Sequence, residues 1–171
     1  TGELITACMN KVQELNDWTK NIRHVDWSDL VEELAHVKNT IISVCHLLDL
    51  NSDSLGGSDN TECASADYED AVIANLCDLT SVSGRLIKAC NKFLRATGRG
   101  YVTPTSKKDA TEILINAMGA EKDAMRQLMN IVNHFTPLTE EMLDDEIKAS
   151  DAISCERLRS CIGRCGKGEN A

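Results

Sequence analysis

Apolar residues recur along most of this chain at intervals of three and four. That is the period of a helix with one face turned inward. The first such segment spans Glu3 to Arg23, with Leu4, Cys8, Val12, Leu15, Trp18 and Ile22 on one stripe. The second opens near Asp26, an N-cap residue type, with Asp29 well placed against the helix dipole. Its stripe is Leu30, Leu34, Val37, Ile41, Val44 and Leu48. The third runs from about Asp67 to Thr97 and buries Val72, Leu76, Leu79, Ser83, Leu86, Cys90 and Phe93. Gly98 and Gly100 end it in the usual C-terminal position for glycine. The fourth is capped at Thr105 or Ser106 and places Ile113, Ala117, Ala120, Ala124, Leu128, Ile131 and Phe135 inside. Pro137 stops it and opens the fifth as its first residue. The last stripe is Leu143, Ile147, Ser150, Ile153, Leu158 and Ile162.

Between the second and third segments the pattern stops. Residues 51–66 are rich in Ser, Asp, Gly and Thr, with Gly56 and Gly57 adjacent, and read as a mobile loop. No period of 20 to 50 residues repeats, which argues against a solenoid. The expected fold is all-α: an elongated up-and-down antiparallel bundle of four to five long amphipathic helices. It forms one domain over residues 1–165, with 166–171 as a disordered tail. Aromatic residues make up only 4% of the chain, so the core must be aliphatic, which suits helix packing better than sheets. No apolar run approaches the ~20 residues of a membrane span. The chain opens at Thr1 directly into helical pattern, and we read it as a piece of a longer protein.

Eight cysteines pose a redox question. Cys8, Cys45, Cys77 and Cys90 fall on or beside apolar faces, where a thiol behaves as a small hydrophobe. No Asn-X-Ser/Thr acceptor occurs. The reading is a reduced, cytoplasmic chain, with a secreted disulfide-linked bundle, cytokine-like or a ligand carrier, as the alternative.

Candidate chemistry is sparse. Asp49, Asn51 and Asp53 alternate as in a calcium-binding loop, but Ser54 stands where the turn needs Gly and Asn60 where it needs Glu. Cys155, Cys161 and Cys165 lie near one another, yet the second close-spaced pair of a structural zinc site is missing. Cys45 and His46 are neighbours and so point to different sides of a helix. No phosphate loop, nucleophile elbow or His-Glu-X-X-His motif is present. The expectation is a non-enzymatic chain without metal or cofactor. Tyr68, among Asp67, Glu69 and Asp70, resembles a tyrosine-kinase substrate in an acidic context.

Charge is distributed unevenly. The net charge is −9, yet no Asp or Glu occurs from Leu79 to Lys108. That window holds Arg85, Lys88, Lys92, Arg95, Arg99, Lys107 and Lys108. The first five are spaced three, four, three and four, which aligns them on one face of the third helix. Lys107 and Lys108 are expected to join them across the turn. The C-terminal dipole accounts for Arg95 and Arg99 but fades before Arg85 and Lys88. The stripe reads as a docking surface for a protein partner carrying an acidic, phosphorylated or amphipathic-helical segment, or for an anionic lipid headgroup. Duplex nucleic acid is disfavoured, because the rest of the chain repels phosphate.

The third-helix run Leu79-Thr-Ser-Val-Ser-Gly-Arg-Leu-Ile-Lys-Ala-Cys90, with its small and hydroxyl-bearing interior, resembles the bundles of the talin-rod, vinculin and α-catenin group. The focal-adhesion-targeting bundle is similar in architecture. This resemblance implies a protein-binding role in an adhesion or signalling scaffold or adaptor linked to the cytoskeleton, and it assigns no role to an individual residue.

Overall fold

A computed structural model describes residues 2–21, 27–57, 68–98, 104–133 and 139–165. The described residues form five α-helices and one short 3-10 turn, with no strand among them. The helices are α1 (Gly2–Asn21), α2 (Trp27–Leu47), α3 (Tyr68–Ala96), α4 (Lys107–Asn133) and α5 (Glu140–Cys165). The 3-10 turn covers Ser52–Ser54. No described helix is long and apolar enough to cross a membrane.

Their ends follow local chemistry. Ser106 caps α4, its Oγ accepting the Asp109 backbone N–H at 3.0 Å. Gly98 takes a φ of 86° just beyond α3, a conformation that costs glycine little. The fifth helix opens at Glu140, with Thr139 accepting the Met142 N–H, rather than at Pro137; Pro137 itself lies outside the described residues. Gly100, the Asp26 cap, Ile22, Phe135 and the 166–171 tail lie there too.

Four helices form a ring in the order α1, α2, α4, α3, and α5 lies against α2. Gly2, Leu47, Leu48, Phe93, Thr97, Lys107 and Thr111 gather at one end. The start of α1, the ends of α2 and α3 and the start of α4 therefore meet there. Ring neighbours are antiparallel, while α2 and α3 run in the same direction on opposite corners. The end of α2 and the start of α3 therefore lie at opposite ends of the bundle.

The core holds Ile5, Cys8, Val12 and Leu15 of α1, the whole predicted α2 stripe except half-buried Leu48, and the whole predicted α3 stripe. The second half of the predicted α4 stripe, Ala124, Leu128 and Ile131, is buried, but the first half is rotated from expectation. The fully enclosed series is Ala110, Leu114, Met118, Glu121, Met125, Leu128 and Val132, whereas Ile113 is exposed and Ala117 and Ala120 are half-buried. Burial of Leu114, Met118 and Met125 removes far more apolar surface from water than burial of two alanines and one isoleucine, so the bulkier series wins. On α5, Leu143 is buried, Ile147 and Ser150 are half-buried and Ile153 is exposed; the side chains of Leu158 and Ile162 lie outside what is described.

The predicted mobile loop is anchored in its first part. Leu55 is buried, Lys122 of α4 donates to the Ser52 carbonyl at 2.7 Å, and the Gly57 N–H donates to the Asp123 carboxylate at 3.3 Å. Gly56 has a φ of 78°, and a side chain there would run into Asp123. Gly119 lets the loop backbone approach, since an added Cβ would sit 3.1 Å from the Gly56 nitrogen. Residues 58–66 lie outside the described set.

Candidate functional site: a basic groove between α3 and α4

Helix α3 packs more extensively on α4 than any other pair in the ring, and small side chains line part of that seam. Ala89 on α3 and Ala117 and Ala120 on α4 hold the two backbones near each other while filling little of the space above them. A groove of about 380 Å³ results. Its floor is Ala89, Ala117, Ala120 and the flank of Ile113; Asn116 adds an amide, and Arg85, Lys88 and Lys92 form the α3 wall. All three cations are exposed, and no ion pair joins them to an acid among the described residues. Positive charge over an apolar floor suits a segment that offers both carboxylates and a compact aliphatic side chain.

The structure divides the seven predicted site residues. Arg85, Lys88 and Lys92 come together in the groove. Arg95 is exposed on the same helix, one turn beyond. Lys107 does not join them: it lines the depression where the four helix ends meet, beside Phe93 and Thr97. Lys108 is exposed in the first turn of α4 and also stays out of the groove. Arg99 lies outside the described residues.

Beneath the groove lies a polar group that the spacing did not single out. Glu121 of α4 is fully enclosed, and the Ser83 hydroxyl of α3 donates to its Oε1 at 2.8 Å. Its Oε2 has no protein partner. Burial disfavours the carboxylate and pushes its pKa up to about 7, against the opposing pull of Ser83 and of the Arg85 charge. Its position three residues after Met118 and four before Met125 was the available signal, but a glutamate among apolar residues reads as the exposed face.

The bundle interior also brings thiols together. Cys90 and Cys8 share a hydrogen bond between α3 and α1, and that bond together with burial raises the Cys90 pKa. Burial likewise raises that of Cys45. Cys77, expected beside the apolar face, is exposed instead, as is Cys155. Cys63, Cys161 and Cys165 lie outside what is described of the side chains. Cys45 is enclosed while His46 is exposed, so the adjacent thiol and imidazole face different environments.

In the calcium-like stretch, the Asn51 side chain accepts the Asp53 N–H at 2.9 Å, and Asp53 lies 4.0 Å from Lys122. No group of three or more metal-ligating side chains is clustered among the described residues. The Tyr68 side chain falls outside the described set.

No family model, no curated protein and no solved structure matches this chain. The functional reading therefore rests on the groove and its surroundings.

Proposed function

We propose that this chain is a non-enzymatic protein-interaction module whose α3–α4 groove holds an acidic segment of a protein partner. The observation that carries this reading is the set Arg85, Lys88 and Lys92 along an open groove with an alanine and isoleucine floor. A ligand seated there removes Ile113 from water and sets its carboxylates against three cations. Individually, exposed charge pairs contribute only about 0–1 kcal/mol, so the site favours steering and specificity over raw affinity. The expected setting is a cytoplasmic scaffold or adaptor of the kind implied by the resemblance to adhesion bundles. An anionic lipid headgroup meets the same cations but leaves the apolar floor unused.

The test is titration of the protein with an acidic amphipathic helical peptide at two salt concentrations. Binding should weaken as salt rises, because salt screens exposed charges. It should also weaken in the Lys88→Glu, Lys92→Glu, Arg95→Glu variant, whose circular dichroism should stay helical. Equal affinity in both proteins, insensitive to salt, removes the groove as the binding site.

A further inference from the structure

The complement of the groove occurs in the chain itself. Helix α5 uses one side against α2: Leu143 is buried, Lys38 pairs with Asp144 at 2.8 Å, and Asn39 donates to Asp151 at 3.2 Å. The other side carries Met142, Asp145, Ala149, Ile153 and Glu156, all exposed. Their spacing of three, four, four and three puts them on one face. Met142 is 43% and Ile153 is 52% exposed, which leaves two large aliphatic side chains in water between carboxylates. This face therefore has the two properties the groove calls for: negative charge and compact apolar side chains.

The dimensions agree. At 1.5 Å per residue, Arg85 to Lys92 on α3 covers roughly 10 Å, and Asp145 to Glu156 on α5 roughly 16 Å, so the acidic face can lie along the whole groove wall. Within one molecule the two surfaces cannot meet. Helix α5 is held on α2, and α2 and α3 occupy opposite corners of the ring without close backbone approach among the described residues.

We infer that the acidic outer face of α5 docks into the basic α3–α4 groove of a second copy of this chain. The inference rests on the reading of the groove as an acidic-segment site, and names the occupant. The contact joins two different patches, so copies associate head to tail, either closing reciprocally or extending. Asp145 also holds Lys148 at 2.9 Å, but both are well exposed, and such a pair exchanges at little cost.

A charge swap tests the inference on the whole chain. The mass in solution of the wild type, measured by sedimentation over a range of concentrations, should rise above the 18.8 kDa of one chain and fall back as salt is added. The K88E/K92E variant has an acidic groove facing an acidic α5, and D145K/E156K has a basic α5 facing a basic groove. Each alone should associate about tenfold or more weakly than the wild type, while an equimolar mixture should recover association, because opposite charges then meet. Circular dichroism checks that both variants remain helical.

A wild type that stays at one-chain mass throughout overturns the inference. So does association that survives in K88E/K92E, or a mixture that behaves as the sum of its parts. The peptide titration keeps the two readings apart. Peptide binding without self-association retains the groove as a site for another protein and rejects the second copy; absence of both rejects the groove itself.

Discussion

The two flanks of α4 are built in opposite ways. Toward α3 it presents Ala117 and Ala120, and the helices close until only a surface groove remains. Toward α2 the contact is slight, and other parts of the chain occupy the gap. Leu55 and the glycines after it fill one part of that seam and Leu143 of α5 fills another. A cavity of about 60 Å³ persists among Ile41, Met125, Met129 and Leu143. Small side chains bring helices together directly, whereas long ones such as Met125, Met129 and Lys122 hold them apart and call for filler. The tight flank carries the exposed chemistry and the loose flank carries residues 52–57.

The largest test of this contrast addresses the tight side. Glu121 keeps a proton in the folded state that the unfolded chain releases above a pKa of about 4.5, while the folded value is about 7. Stability should fall as pH climbs from about 4.5 to about 7 and level off above that, a cost on the order of 3 kcal/mol. Glu121→Gln keeps an acceptor for Ser83 and removes the ionisation. Urea unfolding across that range should show it more stable than wild type by roughly 2–3 kcal/mol at pH 8 and nearly equal at pH 4. Identical pH profiles would show that the carboxyl is solvated.

On the loose side, Leu55→Ala should lower stability by about 2–3 kcal/mol, read as a lower urea midpoint with an unchanged slope. A cost near zero would mean that the loop merely rests on α4. Gly56→Ala should cost about 1–2 kcal/mol, through its positive φ and the collision with Asp123. Part of that cost should vanish in an Asp123→Ala background, because the two residues share one space. The smallest effect belongs to the groove wall: Lys88→Glu with Lys92→Glu should move stability by no more than about 0.5 kcal/mol, since both side chains are exposed.

The bundle is largely legible because α2 carries an uninterrupted apolar series and α3 one broken only by Ser83. On α4 two series compete one residue apart before they converge at Leu128, and Glu121 interrupts the buried one, so the period points to the wrong face only over Ile113 to Ala120. That shift hides the groove, whose α4 floor is Ile113, Ala117 and Ala120. The basic residues were found by charge alone, but charge gives no register across a turn, which is why Lys107 and Lys108 were added to a surface they do not reach. The anchoring of residues 51–57 was hidden because glycines signal freedom, while here Gly56 and Gly119 serve close approach. Among the described side chains of α5 only Leu143 is buried.

Arg85 belongs to two environments at once. It stands on the groove wall, and its charge reaches Glu121 inside the bundle, where it favours the carboxylate. An acidic group placed against Arg85 from outside cancels part of that field, and Glu121 then holds its proton more tightly. Occupancy of the groove and proton uptake in the core are thereby tied by reciprocal linkage, so the heat of binding near pH 7 would vary with the ionisation enthalpy of the buffer.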